Sequence, residues 1–202
     1  MSRARRLVLP GLGAFLAVGA AGLPLAAQPA CGGGTCTVFL YTTLLSGDFG
    51  GLANADGICQ VAADDARLGG TYKAWLSDDT ASPSTRFTRA AQPYVLPNGG
   101  KIAADWADLT DSRLDIPIVI DAFGQTLPQG QEQSVWTGTS PDGTAASSGG
   151  SPANCGGWTG VGQGFFGTAT PFGPKGDGPV WSSAAAIACG QQVTAGLYCF
   201  QQ

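Results

Sequence analysis

The sequence predicts an α+β domain built from short strands and an amphipathic helix. Three observations carry this expectation. Residues 52–68 place Ala55, Ile58, Cys59, Ala62, Ala63 and Ala66 on one face at helical spacing, with Asp56, Gln60, Asp64 and Arg67 on the others. Runs such as 37–43 and 197–201 are rich in β-branched and aromatic residues and read as strands. Charged residues make up only 12% of the chain and glycine 32 of its 202 residues, a composition that favours turns and short strands over a helical bundle.

The first residues read as an address. Arg3, Arg5 and Arg6 form a basic segment, residues 7–25 are apolar and uncharged, and Leu25, Ala26 and Ala27 suit a signal peptidase. This layout predicts a secretory signal peptide over 1–27, cleaved before Gln28. Pro10, Pro24 and the glycines between them weaken the alternative of a membrane anchor. No later stretch is apolar enough to cross a bilayer, so no transmembrane segment is expected after cleavage. The remainder, about 175 residues, fits one domain with its own core. The expected location is extracellular, periplasmic or at the cell surface.

The leader holds three of the ten basic residues. The rest therefore carries seven basic against fourteen acidic residues, a net charge of −7. Nucleic acid is an unsuitable partner, because it needs clustered Lys and Arg. Thirteen of the fourteen acids are Asp, with Glu132 the only Glu, and Asp suits turns and caps.

Six cysteines remain after cleavage: Cys31, Cys36, Cys59, Cys155, Cys189 and Cys199. An even count behind a signal peptide predicts three disulfides, and spacing alone leaves fifteen connectivities open. Cys31 and Cys36, separated by Gly-Gly-Gly-Thr, are spaced to close a small local loop. Cys59 falls on the buried face of the predicted helix, where a structural disulfide is expected.

In chain order, 37–43 is a strand, 47–51 a loop and 52–68 the helix, stopped by Gly69-Gly70. Residues 72–76 are a second strand and 77–88 a polar, turn-forming segment. Residues 94–96 and 101–103 flank Pro97-Asn98-Gly99-Gly100, a hairpin signal. A helical turn is expected at 106–109. Residues 117–120 and 125–127 flank another turn, and 134–137 is a strand. The stretch 138–179 is dominated by Gly, Ser, Thr and Pro and reads as irregular, with Trp158, Phe165, Phe166 and Phe172 embedded. Residues 197–201 close the chain as a strand.

The absence of histidine removes Ser-His-Asp and Cys-His nucleophiles and the usual histidine zinc sites. Zinc is not expected, and paired cysteines would leave no thiolate. Asp64-Asp65, Asp78-Asp79 and the Asp105, Asp108 and Asp111 cluster are the visible acid–base candidates, with local caps the stronger reading. Asp142 could offer an oxygen to calcium, although Ser140-Pro-Asp-Gly143 reads first as a β-turn. No cofactor is expected. Trp158, Phe165 and Phe166, with Asp142, are the candidate ligand-binding residues.

The order of motifs resembles the endostatin-like domain and its bacterial secreted relatives. These motifs are Cys59-Gln60, then Leu-Gly-Gly-Thr-Tyr-Lys-Ala-Trp-Leu-Ser over 68–77, Ser-Val-Trp-Thr-Gly-Thr-Ser-Pro-Asp-Gly over 134–143, Cys155 with Trp158, Cys189, and Leu-Tyr-Cys-Phe over 197–200. The match covers 37–202 and leaves 28–36 as a short N-terminal segment. The resemblance implies a C-type-lectin-like fold: a twisted, mostly antiparallel sheet, two helices and a long loop region. It also implies pairing of Cys59 with Cys199 and of Cys155 with Cys189, leaving Cys31 with Cys36. The family's zinc histidines have no counterpart, and the acidic remainder does not suit its heparin-type polyanion. The motifs of calcium-dependent sugar binding are absent too. The expected function is a non-catalytic secreted binding or adhesion module for a carbohydrate, matrix or protein ligand, with 138–179 as the contact surface. An Asp-dependent extracellular glycan hydrolase and a structural envelope or matrix protein are the alternatives.

Overall fold

The computed structural model describes residues 30–169, 181–190 and 192–202. The predicted leader and residues 170–179 of the glycine-rich stretch lie outside them. The architecture is α+β. A short turn at Ala30–Gly33 leads into β1 (Cys36–Ser46), α1 (Leu52–Asp65), β2 (Tyr72–Ala74), α2 (Pro83–Arg86), β3 (Tyr94–Val95), β4 (Lys101–Ala103) and α3 (Trp106–Leu109). Then come β5 (Gln133–Trp136), β6 (Ser147–Ser148), β7 (Ser151–Pro152), α4 (Cys155–Trp158), β8 (Gln163–Ala169), β9 (Ala185–Ala188) and β10 (Thr194–Gln201). The main sheet runs β4-β3-β1-β10-β5-β8-β9, and β2 pairs with β10 beside β5. It is mixed but mostly antiparallel, with parallel pairing only at β1–β3 and β10–β5.

The first and last strands sit together at its centre, with Phe39 opposite Cys199 and Leu40 opposite Tyr198. Side chains alternate across a strand, so each strand feeds two layers. Val38, Leu40, Tyr198 and Phe200 enter one apolar layer with Trp75, Tyr94 and Ile102. Phe39, Leu197 and Cys199 enter the other, with Trp136, Trp158 and the buried face of α1. A strand buried on both faces reads as a continuous apolar run, which 195–200 is.

Ala55, Cys59 and Ala63 form the buried stripe of α1. The helix ends at Asp65, earlier than the glycine stop suggested. Arg67 takes the left-handed conformation (φ 57°), its N–H donates to the Asp64 carbonyl and the Leu68 N–H to that of Ala63. This is a Schellman-type closure made two positions before Gly69. The polar side of α1 also docks: Asp56 accepts from the Ala74 N–H and pairs with Arg86, and Gln60 accepts from the Tyr72 N–H.

The described part of the stretch 138–179, residues 138–169, corrects the sequence reading. Far from being irregular, it contributes the β6–β7 hairpin, α4 and the seven-residue inner strand β8. The strand is glycine-bearing because it is crowded. A Cβ on Gly164 would meet the Cys155 sulfur at 2.6 Å, and one on Gly167 the Trp181 carbonyl oxygen at 1.8 Å. Packing selects glycine there, whereas strand propensity counts against it. α4 is a single turn wound left-handed, with φ from 53° to 70° across Cys155, Gly156, Gly157 and Trp158. Among the described residues the four helices α1–α4 stand where the resemblance implied two, and only α1 of these exceeds about one turn. The expected hairpin about Pro97–Gly100 is present as β3–β4, while the turn at 121–124 is closed by a single bridge between Ile120 and Thr126.

The disulfides are Cys31–Cys36, Cys59–Cys199 and Cys155–Cys189, and no cysteine is free. They join, respectively, the start of β1 to the turn before it, α1 to β10, and α4 to the segment after β9.

Candidate functional site

The sequence-predicted contact residues are not gathered on one surface. Trp158 is fully buried: its indole N–H donates to the Ser77 carbonyl (2.9 Å), and its ring stacks on Phe49 and meets Trp136 edge-on. It is a core residue, so it presents no face to a ligand. Phe165 and Phe166 are half-buried neighbours on β8, where Phe166 packs against the α1 layer. Asp142 is exposed and closes its own turn, accepting from the N–H and hydroxyl of Thr144 (2.9 and 2.7 Å).

All but one of the Asp candidates for catalysis are engaged in hydrogen bonds; Asp65 is exposed at the end of α1 and carries none among the described residues. Asp105 caps α3 by accepting from the Asp108 N–H, Asp108 accepts from Ala104, and Asp111 accepts from Arg113. Asp64 accepts from Gln60, and Asp79 from the Asn154 amide. Burial pushes the Asp78 carboxyl up, but hydrogen bonds from Thr80 and Ala81 and the charge of Arg86 outweigh it and hold the group below its ordinary value. That is the opposite of what a general acid at neutral pH needs. Among the described residues no group of three or more His, Cys, Asp or Glu is placed to hold a metal ion.

A different surface has the shape of a site. α1 does not lie flat on the outer half of β1. The gap between them, closed on the far side by the loop 121–123, is a cleft of about 760 Å³. That volume falls in the range of ligand pockets. The β1 wall supplies Leu40, Tyr41, Thr42 and Thr43; the helix supplies Asn54, Ile58, Val61 and Asp65; and Phe49 lies at one end. The loop supplies Asp121, Ala122 and Phe123. The loop is rigidly placed. The Leu40 N–H donates to the Ile120 carbonyl (2.8 Å), and the Asp121 carboxylate accepts from the N–H groups of Phe123 (2.9 Å) and Gln125 (2.8 Å). Asp121 thus spends one oxygen on its own loop and holds Phe123 at the rim.

Val61 is 61% exposed and Phe123 65% exposed, although both are large and apolar. Two such residues facing one cleft form a patch of the kind that marks an interaction site. The sequence carried a faint sign of each. Val61 is out of phase with the buried stripe of α1, and Phe123 is an aromatic residue inside an Asp-Ala-Phe-Gly turn. Periodicity assigns neither to a core, but it does not bring them together.

No family model matches this chain, and no curated protein matches it.

Proposed function

We propose that the chain is a secreted, non-catalytic binding module of C-type-lectin-like, endostatin-like build, taking its ligand in the cleft between α1 and β1. The observation that carries this is the cleft itself: a preformed apolar gap rimmed by the exposed Val61 and Phe123. The chemistry around it supports binding rather than turnover. The thiols are all consumed in disulfides, histidine is absent, and most of the described carboxylates are held by hydrogen bonds or ion pairs. Three disulfides suit an oxidising compartment, and among the described residues no helix is long and apolar enough to cross a membrane. The reading moves the contact surface from 138–179, whose Trp158 belongs to the core, to the cleft between α1 and β1.

The test is a glycan and matrix-protein array probed with the chain as released by a secreting host. A Val61→Ser/Phe123→Ser double variant is expected to keep its circular dichroism spectrum and lose array binding by at least about tenfold, as loss of two apolar anchors implies. An Ile116→Ser control, at an exposed apolar residue away from the cleft, is expected to bind normally. Unchanged binding by the double variant overturns the cleft. A blank array with the native chain favours the structural-component reading instead.

A further inference from the structure

We infer that the cleft's occupant is an extended peptide segment in which a Lys or Arg stands beside bulky apolar side chains. This deepens the cleft reading and rests on it. The first observation is charge. Two charged residues line the cleft, Asp65 and Asp121, and both are carboxylates. Among the described residues no cation forms an ion pair with either: Arg86 pairs with Asp56, Lys101 with Asp115, Lys73 donates to the Arg86 carbonyl, Arg89 lies over the Trp106 ring, and Arg67 and Arg113 are exposed and bridge to neither. With seven basic against fourteen acidic residues beyond the predicted leader, the surrounding field has the same sign as the cleft. Such a field draws cationic ligands and repels anionic ones, and does neither for a neutral glycan.

The second observation is the wall chemistry. Tyr41, Phe49 and Phe123 line the same cleft as the two carboxylates, and Ile58 and Val61 add aliphatic surface. Aromatic faces accept both an apolar side chain and a guanidinium or ammonium group. The third is the main chain of β1. Its outer side is paired with β3 at Cys36–Thr37, and the Leu40 N–H is taken by Ile120. Beyond that, the register shifts between Tyr41 and Leu45, and Thr42 and Thr43 are exposed at the cleft with no strand beside them on that side among the described residues. An extended peptide laid there finds backbone partners as well as pockets for alternate side chains, the mode by which peptides add to sheet edges.

The test is a positional-scanning hexapeptide library screened against the secreted chain, beside an array of neutral oligosaccharides. The library is expected to select Lys or Arg together with Phe, Leu, Ile or Val at alternate positions. Asp65→Lys, an exposed change at the end of α1, is expected to weaken those peptides about tenfold by placing like charges together. Raised salt is expected to weaken them in the native chain. Selection of acidic or charge-indifferent peptides, or of none, overturns the inference. Oligosaccharide binding that Phe123→Ser removes and Asp65→Lys leaves intact overturns the peptide while the cleft stands. Peptide binding indifferent to both Phe123→Ser and Val61→Ser overturns the cleft itself.

Discussion

The same substitution has opposite expected outcomes at two glycines. Gly57 sits in the middle of α1, and a Cβ built there meets nothing within 4 Å. Gly57→Ala therefore adds no clash and removes backbone freedom from the unfolded chain, for an expected gain of roughly 0.5–1 kcal/mol. Gly167 lies in β8 with the Trp181 carbonyl carbon 2.5 Å from the position of its missing Cβ. Both offending Trp181 atoms are backbone, so no side chain can swing away. Gly167→Ala is expected to cost about 3 kcal/mol or more. Denaturant midpoints of the two variants check this, and a tolerated Gly167→Ala would mean that β8 and the 181–182 segment are not in contact. The contrast also explains why a glycine count says little. Composition reports thirty-two glycines, and packing decides which of them are indispensable.

At the level of elements, the Cys59–Cys199 disulfide, which spans 140 residues, ties α1 to β10 within the apolar layer where the two already pack. In the chain-entropy model that crosslink contributes about 5 kcal/mol, against about 2 kcal/mol for Cys31–Cys36 with its separation of 5 and just under 4 kcal/mol for Cys155–Cys189 with its separation of 34. Paired Cys→Ala variants are expected to lose stability in that order. Equal losses for the longest and shortest loops would show that native packing, not loop closure, sets the contribution. α1 was legible because its stripe of Ala55, Cys59 and Ala63 is a local, periodic signal, and β10 because 195–200 is continuously apolar. The β3–β4 hairpin was legible from Pro-Asn-Gly-Gly. β8 was not, since two of its seven residues are glycines chosen by contacts with Trp181 and with the Cys155–Cys189 disulfide, far off in sequence. The cleft was illegible for a related reason. Tyr41, Val61 and Phe123 come from a strand, a helix and a loop, and only tertiary structure sets them around one gap. Trp158 shows the converse error: an aromatic residue in a glycine-rich stretch suggested a surface, yet a left-handed turn drives it into the core.

The molecule as a whole buries tyrosine on both sides of its sheet, and this gives it an alkaline limit. Tyr94 and Tyr198 lie in one apolar layer and Tyr72 in the other, each 2% exposed or less. Burial pushes the Tyr94 phenol up to about 12, with the Ala90 N–H pulling it back slightly and the Asp105 charge adding to the rise. Burial raises Tyr198 as well, and Tyr72, where a hydrogen bond with Thr37 opposes it. Above pH 10 the unfolded chain gives up these protons while the folded chain keeps them. The unfolded state then binds fewer protons, so stability falls as pH rises. The contribution is whole below about pH 10 and is withdrawn toward the folded values, at up to roughly 1.4 kcal/mol per pH unit for each tyrosine. Three disulfides slow the separation of the chain but leave this proton balance untouched. The expected outcome is a cooperative alkaline unfolding in which tyrosinate absorbance and loss of near-ultraviolet circular dichroism rise together. Tyr198→Phe removes one of the three titrating groups from the core, and is expected to shift that transition to higher pH. A gradual rise in absorbance near pH 10 with the dichroism intact would mean that the phenols reach water without unfolding, and that the two layers are not closed over them.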